Sequence, residues 1–165
     1  MRLVERVIPL KKCPDEYLGR WFSILYRMSM SHVTQGLKEY NIGSGQVMFL
    51  LELYYCDGVR QEELSTLLQI DRANTTRAIA KLEQEGYVER HPDPDDGRAY
   101  RIFLTDKALQ IKPDLFELLR SWDENLLSAL DSEEQETFIA LLKKMGHLAS
   151  DSKRCVYCHL SGGCQ

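Results

Sequence analysis

Five cysteines are spread over 165 residues, and four of them are spaced for chemistry. Cys155, Cys158 and Cys164 form a C-x2-C-x5-C run at one end of the chain, and Cys13 lies near the other. Thiolates at such spacing chelate zinc or an iron–sulfur cluster, but three of them leave a tetrahedral ion or a cubane one ligand short. Cys13 completes the set only where the fold brings the two ends of the chain together. Gly162-Gly163 would let the tail turn back sharply around such a site. Cys155 to His159 also spells the c-type haem attachment motif. Context argues against haem, because the tail is too short to build a pocket and no export signal precedes it. His159 is a substitute zinc ligand, and Cys56 reads as a small buried hydrophobe.

A second group of residues is suited to nucleic acid. Arg72, Asn74, Thr76 and Arg77 crowd the start of a predicted helix, and their side chains are types that bond base edges and phosphates. Asp71 is a natural N-cap for this helix and Gly86 a natural stop, so it runs from Arg72 to Glu85. Thr75, Ile79 and Leu82 fall on its core side. The four polar residues are left on the opposite face. Arg98 and Arg101 lie further on, in a predicted hairpin whose turn, His91 to Arg98, is rich in proline, aspartate and glycine. Asp93, Asp95 and Asp96 in that turn would repel phosphate unless they are turned away or paired. His91 is expected to be a surface residue of the hairpin.

The elements that must hold these residues follow from periodicity. A long helix is predicted from Cys13-Pro14 to about Tyr40, with Leu18, Trp21, Phe22, Ile24, Leu25 and Met28 forming a broad stripe. A second runs from Gln46 to about Tyr55 with Ser44 as its cap. A short helix, Gln61 to Leu68, precedes the Arg72 helix. The period then changes to two, giving strands at Tyr87 to Arg90 and Tyr100 to Leu104. Thr105-Asp106 caps a helix reaching about Leu130, bent at Pro113. Ser132 with Gln135 predicts a capping box for a last helix that buries Phe138, Leu141, Leu142, Met145 and Leu148.

Composition sets limits on all of this. A hydrophobic content of 44% and a charged content of 28% are ordinary for a globular protein. The net charge of −4 argues against a broadly basic nucleic-acid coat but leaves room for a local basic surface. No apolar run approaches the roughly 20 residues that span a bilayer, and no signal-peptide stretch opens the chain, so a cytoplasmic protein with reduced thiols is expected. No phosphate loop, nucleophile elbow or carboxylate–histidine constellation is present, and no enzyme is expected.

A short helix, a tight turn, a second helix and a two-stranded hairpin is the winged helix-turn-helix order. Residues from about 14 to 149 resemble the MarR family of transcription regulators. The resemblance rests on Gln61-Glu62-Glu63-Leu64-Ser65, on Ile70 to Arg77, on Lys81 to Val88, on Pro94-Asp95-Asp96-Gly97-Arg98, which matches the D-x-R signature of the wing, and on Leu104-Thr105. It implies a mainly α fold with four parts. Residues 1–43 would form an N-terminal dimerisation helix, 44–104 the DNA-binding lobe, 105–150 C-terminal dimerisation helices, and 151–165 a cysteine-rich tail. It further implies a homodimer on a pseudo-palindromic site in double-stranded DNA, with Arg72, Asn74, Thr76 and Arg77 in the major groove and Arg98 and Arg101 at the wing, Asp96 steadying Arg98. A crease between the dimer region and the lobe would take a small aromatic ligand, and Trp21, Tyr26, His32, Tyr40 and Tyr54 are candidates to line it, unless they are simply aromatic core.

The resemblance also sets the first helix beside the last, which would gather Cys13, Cys155, Cys158 and Cys164 into one neighbourhood. Four outcomes fit: a 4Fe–4S cluster, a structural zinc site, a metal-free thiol switch, or incidental cysteines. The pattern of one distant cysteine with a terminal triplet resembles the cluster sites of certain helicase-associated nucleases over these few residues. The cluster is therefore the expectation carried forward, with zinc as the alternative.

Overall fold

The computed structural model describes residues 16–149, so Cys13, Cys155, Cys158 and Cys164 lie outside the described residues, as does the helix start at Cys13-Pro14. Helix α1 (Leu18–Gly36) ends before the expected Tyr40. A separate 3₁₀ turn, Lys38–Tyr40, follows, and Asn41 closes it in the left-handed conformation. Helix α2 (Ser44–Tyr55) starts earlier than Gln46 because Gln46 itself does the capping. Its Oε1 accepts the Gly43 N–H at 3.1 Å, which places Ser44 inside the helix rather than at its cap.

Periodicity gives no sign of the next element. Strand β1 (Val59–Arg60) pairs antiparallel with β3 (Tyr100–Leu104), Val59 opposite Ile102 and Arg60 opposite Arg101. Two residues carry no period, so only this pairing makes them a strand. Strand β2 (Val88–Pro92) flanks the other side of β3, in register from Val88 with Leu104 to Pro92 with Tyr100, giving the order β1-β3-β2. Between β1 and β2 lie α3 (Gln61–Leu67) and α4 (Arg72–Gln84). The sheet is followed by α5 (Asp106–Leu127) and α6 (Ser132–Ala149). The described chain is mainly α with the winged helix-turn-helix order. None of its helices is long and apolar enough to cross a membrane.

The turn into β1 depends on Gly58, whose φ of +73° is left-handed and whose missing Cβ would meet the Phe103 ring at 2.7 Å. Both constraints oppose any larger residue there. Gly58→Ala is expected to lower stability by about 1–3 kcal/mol, read as a shift of the urea midpoint.

One core joins the two parts of the molecule. Phe49, Leu50 and Leu53 of α2, Leu64 of α3, Ile79 and Leu82 of α4, Ile102 of β3 and Leu115 of α5 belong to it, each nearly inaccessible. Buried Tyr87 links it to the 3₁₀ turn by donating its hydroxyl to Tyr40 O at 2.7 Å. Helix α1 lies on α5, and Gly36 makes the approach close, since a Cβ there would overlap the Leu118 side chain.

The box opening α6 is shifted by one residue from the expected Ser132 with Gln135. Asp131 Oδ1 accepts the Glu134 N–H and Glu134 Oε2 accepts the Asp131 N–H, both at 3.0 Å. Gln135 instead donates to the carbonyls of Leu127 and Leu130, closing the end of α5. In the single chain α6 does not bury the expected stripe. Leu141 and Met145 are exposed, Phe138 and Leu142 are partly covered, and the side chain of Leu148 lies outside the described residues. Leu18, Trp21, Phe22 and Met28 of α1 face outward as well.

Candidate nucleic-acid interface

The reading helix is set by local chemistry. Asp71, in extended conformation, accepts the Asn74 N–H at 2.9 Å and caps α4. That bond and a second from the Asn74 amide hold the Asp71 carboxyl below its ordinary range. Before it, Ser65 Oγ donates to Ile70 O at 2.7 Å and Ile70 N–H donates to Ser65 O at 3.1 Å. This clasp closes the turn between α3 and α4, with Gln69 left-handed at φ 52°. At the far end Gly86 takes φ +75°, and Lys107 and Thr105 donate to the carbonyls of Glu85 and Gly86 at 2.6 and 2.7 Å. Thr75, Ile79 and Leu82 are buried as expected.

The opposite face presents Arg72, Asn74, Thr76 and Arg77, all exposed. Each has a partner within the protein. Arg72 Nη2 lies 3.0 Å from Glu62 Oε1, Gln61 Nε2 donates to Thr76 Oγ1 at 3.0 Å, and Arg77 Nη2 donates to Asn74 Oδ1 at 2.6 Å. The first turn of α3 therefore borders the reading face. The Arg72–Glu62 pair is open to solvent on both sides and exchanges readily for other partners.

At the wing the structure separates the two arginines that the sequence groups together. Arg98 is 94% exposed at the tip, with Asp96 Oδ1 accepting its backbone N–H at 3.0 Å and lying 3.4 Å from its Nε. Arg101 lies at the base of the wing, against the protein. Its Nη1 donates to Gly58 O at 3.1 Å and its Nε lies 2.8 Å from Asp93 Oδ2, with the N–H turned off the line of contact.

Asp93 is the centre of that base. Its side chain is inaccessible, and it accepts from Arg60 Nε at 2.7 Å, from Arg60 Nη2 at 3.0 Å, and from the backbone N–H groups of Asp95 and Asp96. The Arg60 hydrogen bonds, followed by those two N–H groups and the Arg101 charge, hold its carboxyl far below the ordinary range despite burial. The acid that looked repulsive is thus turned inward and neutralised. Arg60 carried no signal in the sequence, because nothing local ties it to a residue 33 positions away. His91 is on the surface as expected, its ring 4.9 Å from that of Phe103.

Three of the five crease candidates bond to α5. Tyr54 donates to Ala108 O at 2.6 Å, and burial raises its pKa. His32 bonds Ser121 at 3.1 Å, Tyr40 donates to Asp114, and Trp21 and Tyr26 are exposed. A groove of about 530 Å³ lies between the end of α2, α5 and the start of α6, lined by Tyr55, Phe116, Leu119, Arg120 and Leu127 among others. Cys56 is only partly buried, beside Glu52 and Glu63; burial raises its pKa first, and those carboxylates add to the effect. No group of three or more metal-ligating side chains is arranged to hold an ion among the described residues.

Comparison with known proteins places this geometry. Residues 42–100 match the model of the MarR family. The HTH-type transcriptional regulator YybA of Bacillus subtilis (strain 168) is 33% identical over 108 residues, covering 66% of this chain and 72% of that one. The crystal structure of a MarR transcriptional regulator from Methanosarcina mazei Go1 superposes with a TM-score of 0.79 at 40% identity, over 81% of this chain and 96% of that one. A mutant MarR from E. coli complexed with operator DNA superposes with a TM-score of 0.69 at 26% identity, over 78% and 92% of the two chains. With its wing, its capped reading helix and these relatives, the chain belongs to the MarR family and is a transcription regulator, not an enzyme.

Proposed function

We propose that the protein is a cytoplasmic homodimer that binds a pseudo-palindromic operator, with α4 of each protomer in the major groove and Arg98 at the wing. The observation that carries this is the reading face of α4, where Arg72, Asn74, Thr76 and Arg77 stand exposed on a helix capped and clasped at its start. The E. coli relative held operator DNA, which supports the same use of the same fold. The domain division follows: α1, α5 and α6 dimerise, and residues 44–104 read DNA. The test is a gel shift on the protein's own upstream region at rising salt. Neutralised phosphates impose a steep slope of log affinity on log salt, and a flat slope would remove the proposal.

Cys13, Cys155, Cys158 and Cys164 are proposed as ligands of a 4Fe–4S cluster that makes the regulator responsive to oxidation or iron. The support is the donor set: four thiolates with cluster spacing, on residues flanking the dimerisation helices. Cys56 is left out, because its thiol is held protonated and it sits in the DNA-binding lobe. The alternative is a structural zinc on the same thiolates, with control passing to thiol oxidation or to a small aromatic ligand in the groove beside Tyr55 and Phe116. Protein purified without oxygen is expected to be brown with bound iron and sulfide, and Cys158→Ser is expected to lose most of that iron and the oxygen dependence of DNA affinity. Colourless protein with stoichiometric zinc would assign the site to zinc.

A further inference from the structure

We infer that Arg77 reads one guanine in each half-site and that Asn74 and Asp71 position it, Asn74 making no base contact of its own. The inference rests on the DNA binding by α4 proposed above and goes beyond it in naming the reader, its support and the base.

Asp71, Asn74 and Arg77 are spaced three apart and therefore line one face of the helix. An ionised carboxylate only accepts hydrogen bonds. Asp71 Oδ1 takes the backbone N–H of Asn74, and Asp71 Oδ2 takes the Asn74 side-chain Nδ2. The amide nitrogen must therefore face Asp71 and the amide oxygen must face away from it. That oxygen accepts from Arg77 Nη2 at 2.6 Å. The result is a relay of bonds from the helix cap to a guanidinium.

Two consequences follow. Adenine is read by an amide that offers its acceptor and donor together to N6 and N7. Here that pair is divided between Asp71 and Arg77, so Asn74 is committed along the helix rather than outward. Arg77 uses one of its five N–H donors on the relay, and the remainder suffice for the two-bond contact with guanine O6 and N7. The other polar residues of the face are held differently. Arg72 has the solvent-open, exchangeable Glu62 carboxylate as its partner and so no fixed approach, and Thr76 donates to Arg72 O while accepting from Gln61. Arg77 combines a fixed approach with open donors, and its charge acts on the Asp71 carboxylate without a direct ion pair.

The test is selection of full-length protein on a randomised double-stranded DNA library, with wild type, Arg77→Ala and Asn74→Ala in parallel. Both positions are exposed, and helix content by circular dichroism verifies that the variants fold. Wild type is expected to enrich a two-fold symmetric site with a guanine at one fixed place in each half. Arg77→Ala should flatten that base pair roughly 10- to 100-fold and leave the others intact. Asn74→Ala should relax the same base pair by a smaller factor. Relaxation of a different pair by Asn74→Ala would overturn the inference, because Asn74 would then be a reader itself. So would an even loss over all sequences by either variant, the mark of a phosphate contact or a purely structural role. Failure of wild type to enrich any sequence would instead remove the DNA-binding proposal beneath it.

Discussion

Phe22→Glu combined with Leu141→Glu is expected to leave a folded monomer that binds its operator roughly a thousandfold more weakly or worse. Both side chains are exposed in the single chain, on α1 and α6. They belong to a set that includes Leu18, Trp21, Met28, Ile139 and Met145, too many large apolar groups for a solvated surface. A symmetric partner would cover them, and fully burying each such side chain contributes about 1.5–3 kcal/mol. Four glutamates in that interface would each be desolvated without a partner. The DNA effect is larger than the loss of one contact, because specific binding by such regulators exceeds non-specific binding by about 10³ or more and depends on two linked half-sites. Sedimentation gives the assembly state, and a gel shift gives the affinity. A double variant that stays dimeric would locate the interface elsewhere.

The second large effect is centred on Asp93. Asp93→Asn keeps the shape but leaves Arg60 and Arg101 facing each other at the base of the wing without their counter-charge. Faster amide exchange over β2, β3 and the turn between them is expected, together with a lower unfolding midpoint at neutral pH. The salt slope of DNA binding should fall by about two for the dimer, one lost phosphate contact per wing. The carboxyl's folded-state pKa lies below its unfolded one, chiefly through the Arg60 bonds. Its contribution is therefore complete above about pH 4, the unfolded value, and is lost as pH falls through the folded value. Wild type should lose stability steadily as pH falls below about 4, and Asp93→Asn should be flatter over that window. Parallel declines would mean that the clamp contributes nothing.

Much of the reading helix was legible because its determinants are close in sequence. Asp71 caps Asn74, Gly86 ends the helix, and Thr75, Ile79 and Leu82 repeat at helical spacing. The misreadings lie where two local solutions were equally good. Asp131 with Glu134 and Ser132 with Gln135 both satisfy a capping box, and the choice went to the first because Gln135 is drawn back to the carbonyls of Leu127 and Leu130. Gln46 displaced Ser44 as the capping side chain of α2 in a similar way. For the thiols, the sequence supplies four cysteines and their spacing, and a shared site depends on long-range placement that spacing does not fix.

What the sequence determined by itself is the succession of helices and of the hairpin strands β2 and β3, the face of α4 that points outward and the family to which that pattern belongs. These depend on contacts within about four residues, which a chain carries with it whatever its surroundings. Only the tertiary structure decided that Arg98 and Arg101 have different surroundings and that Asp93 is an anchor. By local rules a carboxylate at a hairpin turn is solvated and an arginine in a strand is free. Docking β1 beside β3 brought Arg60 to Asp93 across 33 residues, and that long-range pairing set the surroundings of Arg60, Asp93 and Arg101.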